Sequence, residues 1–265
     1  MKLDDVPRAN FWPYDLFGYL LPGAALLTAM ALGSSWASRQ LVALWDGGHI
    51  QDYVLLGFIA YFAGTCISAT SSLIIEAGLM QYTYGYPTSR LIPDRPATVE
   101  SGRALSWLKK TPVWAVARWC GSKLAPNWKR PFPPKFQDAV RNKYREIFGD
   151  DFEDSHTRFW TCWAYISLHH PAAFRRGTHF VELYGFSRNS ALSFFLIALL
   201  PFFGCWGFSV WRSPIAWWAW SVPSLLMALF FFANYLKMFK RLDIEVFHAF
   251  LASSCAPLKA SGGED

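Results

Sequence analysis

The groups best able to do chemistry lie between residues 156 and 182, where His156, His169, His170, His179 and Glu182 fall in one short stretch. His179 and Glu182 are three apart, a spacing that sets an imidazole and a carboxylate on one side of a helix and suits two metal ligands or an acid–base pair. The pattern goes no further. No H-E-x-x-H is present, and Cys66, Cys120, Cys162, Cys205 and Cys255 are scattered singly without a C-x-x-C pair. The G-x-S-x-G, G-x-x-x-x-G-K and G-x-G-x-x-G motifs are missing too, so hydrolase, nucleotide and dinucleotide chemistry lose their usual supports. The expectation is a chain with no catalytic, cofactor or metal site, its histidines acting as caps or interfacial side chains. A lipid-acting enzyme built on His169, His170, His179 and Glu182 is the rival among enzymes.

A second set of candidates consists of small and hydroxyl-bearing residues rather than nucleophiles. Gly57, Gly64, Ser68 and Ser71, with Ala60 nearby, repeat along one apolar run, and Ala25, Ala29 and Gly33 do the same along another. Pairs four apart, such as Gly64 and Ser68, let helix backbones approach closely inside a membrane. They predict helix packing within a bundle or, alternatively, a subunit interface or narrow pore lining. A third set is the junction Tyr184–Asn189, where Tyr184, Arg188 and Asn189 precede an apolar run and would couple it to whatever comes before.

These residues must be positioned by membrane helices. Hydrophobic residues make up 53% of the 265, while charged ones reach 17% against about 25% in soluble domains. Residues 16–36, 53–75, 190–211 and 215–236 each contain no Asp, Glu, Lys or Arg, and each is long enough to cross about 30 Å of hydrocarbon. The fold class expected is an all-α integral membrane protein with four transmembrane helices in two hairpins. Pro22, Pro201 and Pro223 predict kinks, because neighbouring helices can satisfy the backbone groups a proline frees. No ionisable residue falls near a span's centre; Asp15 and Glu76 mark cytoplasmic ends.

Between the hairpins, residues 76–189 carry 17 of the 25 Lys and Arg, and 23 of the 25 fall on one side of a four-span arrangement. Positive residues flanking spans stay inside, which puts both termini and this long segment in the cytoplasm. The organisation expected is an N-terminal hairpin (1–75), a basic helical segment (76–189), a C-terminal hairpin (190–236) and a cytoplasmic tail (237–265). A cleaved signal peptide is disfavoured, since Asp4, Asp5 and Asp15 spoil the positive leader ahead of Ala29-Met30-Ala31. Within the segment, Phe136, Val140, Tyr144 and Ile147 mark one face of a helix ended by Gly149, and a second helix runs from Asp154 or Ser155 to the His169-His170-Pro171 stop. That second helix is buried in the lobe, interfacial or a fifth span, the last disfavoured because it would put the basic ends of the segment on opposite sides.

Lys109, Lys110, Arg118, Lys123, Lys129 and Arg130 are interleaved with Trp107, Trp114, Trp119 and Trp128. For a segment tethered to a bilayer at both ends, anionic lipid headgroups are the partner expected, ahead of single-stranded nucleic acid. A homo-oligomer and a cytoplasmic protein partner complete the expected partners.

Two short stretches, Pro13-Tyr14-Asp15-Leu16-Phe17-Gly18-Tyr19-Leu20-Leu21-Pro22-Gly23 and Leu183-Tyr184-Gly185-Phe186-Ser187-Arg188-Asn189, resemble patterns in uncharacterised bacterial multi-span inner-membrane proteins. Some of those accompany CRISPR and other anti-phage systems. The resemblance covers about 20 residues and implies a bacterial inner-membrane accessory or effector protein, with no catalytic residue attached. The functional expectation is a non-enzymatic sensor or effector whose cytoplasmic lobe receives a signal and whose bundle responds by oligomerising or forming a pore. A small-solute channel or transporter is the alternative.

Overall fold

The computed structural model describes residues 16–33, 39–40, 42, 49–84, 86–92, 123, 128, 130–149, 155–202 and 214–253. Among these there is no strand. The chain enters as a short π-helical turn π1 (Leu16–Leu20) and helix α1 (Leu21–Gly33). Helix α2 (Ile50–Ser71) runs directly into a π-helical stretch π2 (Ser72–Tyr84). Then come α3 (Pro87–Leu91), α4 (Pro134–Phe148), α5 (Ser155–His169), α6 (Pro171–Leu199) and α7 (Pro214–Ala252).

Three helical stretches, Ile50–Met80, Pro171–Phe202 and Trp218–Ala252, are long and apolar enough to cross a membrane, and the chain is a multi-pass membrane protein by that measure. At about 1.5 Å per residue, the 31 residues of the first reach beyond the hydrocarbon layer. The apolar helix Phe17–Gly33 is shorter. The charges after Leu236 do not end α7, which continues as a helix to Ala252. Ending a hydrocarbon span and ending a helix are different events, and only the second needs a break in backbone hydrogen bonding.

The chain divides into two compact units, one of residues 1–77 and 182–235, the other of 78–181 and 236–265. In the first unit α1 and α2 touch backbone to backbone. A Cβ added to Gly23 would lie 1.9 Å from the Ala60 carbonyl oxygen, and one added to Gly64 would lie 1.9 Å from that of Tyr19. No side chain larger than hydrogen fits at either place. Ala29 packs with Ile197 and Leu200, and Ala25, Leu26, Phe194 and Trp220 close around them. Of the most apolar 18 residues, 61% are buried in the stretch containing α6, against 33% for α2 and 22% for α7, so α6 is the central helix. Phe58 and Phe62 on α2 and Leu226 and Phe230 on α7 stand open, as lipid-facing side chains do. Pro223 lies inside α7, which runs through it, and Pro201 falls in the tight turn after α6.

The second unit is a helical lobe with an aromatic core. Its helix α4 buries Val140 and Tyr144 and stops at Gly149, whose φ of 72° is the left-handed conformation that glycine adopts at no steric cost. Helix α5 buries Phe159, Cys162, Tyr165 and Ile166 and leaves Trp160 and Leu168 exposed. Tyr165 and Phe148 both pack on Phe250 of α7. Gly177 lets α6 fold back on α5, since a Cβ there would meet the Trp163 ring at 2.5 Å. The buried Lys143 ammonium donates to the carbonyls of Leu251, at 3.0 Å, and Ser253, a cation placed at the C-terminal end of α7.

Candidate functional site

The polar residues of the first unit are gathered on the central helix. Ser187, Arg188, Asn189, Ser190 and Ser193 are all buried. Successive residues of a helix point about 100° apart, so three in a row can address three neighbours. Ser187 accepts from Asn234 Nδ2 of α7 at 2.7 Å. Arg188 forms an ion pair with Glu76 of π2 and donates through Nη2 to Ser68 Oγ at 3.3 Å. Asn189 turns to the first helix, its Nδ2 donating to the Gly18 carbonyl at 2.8 Å.

A sequence reason underlies that last bond. In an α-helix the Gly18 carbonyl would accept from the N–H four residues on, but that residue is Pro22, which has none. Asn189 supplies a donor. One turn further along α6, Ser193 donates to the Pro22 carbonyl at 2.8 Å, so two side chains spaced by four meet two carbonyls spaced by four.

Asn189 Oδ1 closes the network. It accepts from Ser71 Oγ at 2.7 Å and from Arg188 Nε and Nη2 at 3.4 Å each. Glu76 accepts from Ser72 Oγ at 2.9 Å through its other oxygen. Where water is excluded, each polar group must find its partner on another helix, and this seam ties α6 to π1, α1, α2, π2 and α7.

The seam unites residues that the sequence flags for different reasons. Ser68 and Ser71 come from the small-residue stripe, and Arg188 and Asn189 from the junction; here they form one network. The Tyr184 ring lies 6.1 Å from that of Tyr235. Gly64 makes a backbone contact, whereas a Cβ on Gly57 would meet nothing within 4 Å, so Gly57 takes no part in the close approach. Ala25 and Ala29 pack in the bundle, and Gly33 is buried at the end of α1. Sequence reasoning misses Gly23, Ser193, Asn234 and the inward role of Glu76. A proline four residues after a glycine was the available hint for Asn189.

Among the predicted lipid-surface residues, Lys109, Lys110, Arg118 and Lys129 lie outside the described residues, as do the amphipathic stretches around them; Lys123 and Arg130 are exposed. His169 Nδ1 lies 2.9 Å from the carbonyl of Tyr165, His170 continues its own backbone bonding, and the His156 side chain is outside the described set. Among the described residues, no group of three or more His, Cys, Asp or Glu could hold a metal.

Two buried titratable groups of the second unit, Cys162 and Asp243, lie beyond the charge-free runs. Burial pushes the Cys162 thiol up to about 12, against a smaller opposing pull from Arg158, which leaves it inert as a nucleophile at neutral pH. Asp243 lies past Leu236, where the charge-free part of α7 ends. Burial raises its carboxyl to about 7, only partly offset by the hydrogen bond it accepts from Thr88.

Comparison with protein-family models, with curated proteins and with solved structures finds no match to this chain.

Proposed function

We propose that the chain is a non-enzymatic sensor or effector of a bacterial inner membrane, in which the polar seam holds one state of the transmembrane bundle. The observation that carries this reading is the closure of the seam: its buried Ser, Asn and Arg side chains and the half-buried Glu76 are engaged by one another and by backbone carbonyls. A network arranged this way fixes helix positions. The setting is the one implied by the resemblance, anti-phage defence, with anionic lipid, a cytoplasmic protein and further copies of the chain as partners.

The proposed topology is four spans with both termini and residues 76–189 cytoplasmic. The excess of Lys and Arg on one side supports it, and the first span is completed by the charge-free residues flanking Phe17–Gly33. Reporter fusions after Gly48 and Gly149 should then report opposite sides.

The same ion pair favours a second reading, a small-solute channel or transporter, because ionisable residues among membrane helices commonly mark a conduction path. Reconstitution of the full chain into vesicles of phosphatidylethanolamine and phosphatidylglycerol tests the first reading. Wild type is expected to retain ions, and Arg188→Ala to leak them or change oligomeric state. Equal leak and equal assembly in the two proteins would overturn the sensor or effector reading; steady selective flux through the wild type would establish the second.

A further inference from the structure

Two helices of the lobe turn opposite kinds of face outward. On α4 the exposed residues include Lys135, Asp138, Asn142, Arg145 and Glu146, charges of both signs on the side of a helix turned to water. On α5 the outward residues are Thr157, Trp160, Ala164 and Leu168. At about 100° per residue, Trp160, Ala164 and Leu168 lie within about 80° of one another, opposite the buried Phe159, Cys162 and Ile166. Trp160 is 52% exposed and Leu168 78%. Thus α5 carries a second apolar face, and the aromatic core does not use it.

The hydroxyls flanking this face look to their own helix. Thr161 donates to the Thr157 carbonyl at 2.9 Å, and Ser167 to that of Ala164 at 2.7 Å, so neither needs water. Helix α6 runs back along α5, with Phe174 packed on Trp163 and Gly177 leaving room for the same ring. On either side of that line α6 exposes Arg175 and Arg176. Residues 155–181 contain three arginines, four histidines and no Asp or Glu, so the hairpin is of one sign where α4 is mixed. An indole and a leucine side by side on a helix suit the boundary between headgroups and acyl chains, and flexible arginines beside them reach phosphate. The 15 residues of α5 extend about 22 Å, too short to cross the hydrocarbon but enough to lie along its edge.

We infer that the α5–α6 hairpin of the lobe is an interfacial membrane anchor: Trp160, Ala164 and Leu168 enter the surface layer of an anionic leaflet, and Arg175 and Arg176 pair with its headgroup phosphates. The inference rests on the proposal that anionic lipid is a partner, and it is independent of the seam. It names a surface other than the basic residues Lys109 to Arg130 that the sequence singles out.

None of the chain's five methionines lies on α4 or α5, so Leu168→Met and Ala139→Met, the latter at an exposed position of α4, each add one signal to a spectrum of methyl-labelled methionine. In the full chain in nanodiscs of phosphatidylcholine and phosphatidylglycerol, doxyl lipid and a soluble gadolinium chelate read which solvent each methyl meets. The Leu168→Met methyl is expected to be relaxed by doxyl lipid and spared by the chelate, and the Ala139→Met methyl the reverse. Adding Arg175→Gln and Arg176→Gln to Leu168→Met should weaken attachment about fivefold for each charge removed, read as doxyl relaxation lost and chelate relaxation gained. Discs of phosphatidylcholine alone should act in the same direction. Ala164→Met reports the same face if Leu168→Met fails to insert. Chelate relaxation at position 168 equal to that at 139 overturns the anchor, and so does shielding from both agents, which would mean that protein covers the face. Doxyl relaxation that ignores both the arginines and the lipid charge overturns the headgroup pairing. Equal leak and assembly of wild type and Arg188→Ala would sink the sensor or effector reading and leave the anchor standing.

Discussion

The two units bury charge in opposite ways. In the transmembrane unit, Arg188 meets a carboxylate, and both ions are held further by Ser68, Ser72 and Asn189. In the lobe, Lys143 meets main-chain carbonyls at the end of a helix, and Asp243 accepts from a single hydroxyl. The difference follows from what each neighbourhood offers. Arg188 and Glu76 meet side chains of neighbouring helices, whereas Lys143 reaches the last carbonyls of α7, which receive no N–H from their own helix. Polar contacts of the first kind set helix positions; those of the second kind finish a core.

The sharpest way to break this comparison is to remove one partner from each unit. Arg188→Ala leaves the Glu76 carboxylate among membrane helices without its ion-pair partner, an effect of about 3–5 kcal/mol, while Lys143→Ala removes two bonds at a helix end and should cost about 1–3 kcal/mol. Thermal unfolding of the detergent-purified chain compares them. Glu76→Gln combined with Arg188→Gln should recover most of the loss. Equal costs for the two single variants would erase the distinction between the units.

Asp243 comes next, and its effect depends on pH. A carboxyl raised from 3.8 to about 7 on folding binds its proton more tightly in the folded state. The stability it contributes is complete below pH 3.8 and is lost as pH rises to about 7. Stability of the wild type should therefore fall by a few kcal/mol as pH rises through that window, at about 1.4 kcal/mol for each pH step of one, and Asp243→Asn should flatten that dependence. Hydrogen exchange in α3, which carries Thr88, reads the change locally. A slope unaltered by Asp243→Asn would show that another group governs it.

How far the sequence reached follows the same division. Absence of charge revealed the long spans, because the cost of burying ions in lipid is large and local. A heptad-like face with a terminal glycine likewise located α4 to within two residues. The seam was legible only in fragments: Ser68, Ser71, Arg188 and Asn189 each stood out, but Glu76 and Arg188 are 112 residues apart and nothing local pairs them. Gly23 was invisible for the same reason, since its need for hydrogen as a side chain arises where α2 crosses.

Within α2 the comparison can be sharpened with two glycines. Gly64→Leu drives a side chain into the Tyr19 backbone, which cannot yield as a flexible side chain would, and should cost about 1–3 kcal/mol or more. Gly57→Leu, entering open space, should be neutral or slightly stabilising, because leucine is the better helix former. Membrane abundance and unfolding midpoint report both. A Gly57→Leu variant as damaged as Gly64→Leu would place a second copy of the chain against that face.

The smallest effect expected is at Thr70, and it separates lipid from protein one residue away from the seam. Thr70 is exposed on α2, and its hydroxyl donates to the Cys66 carbonyl of its own helix at 2.8 Å; Thr65 does the same to Tyr61 at 3.0 Å. A hydroxyl turned back on its own helix is what hydrocarbon requires, since neither water nor another helix is there to receive it. Thr70→Val should therefore change stability by less than about 0.5 kcal/mol, as substitutions away from packed or networked positions do. Ser71→Ala, its neighbour in sequence, removes a donor to Asn189 in the buried seam and should cost about 1 kcal/mol or more. Measured side by side in the same nanodiscs, the pair asks where the lipid-facing side of α2 ends. Should Thr70→Val cost as much as Ser71→Ala, the exposed face of α2 would be meeting protein or a water-filled path, and the channel reading would gain at the expense of the sensor or effector reading.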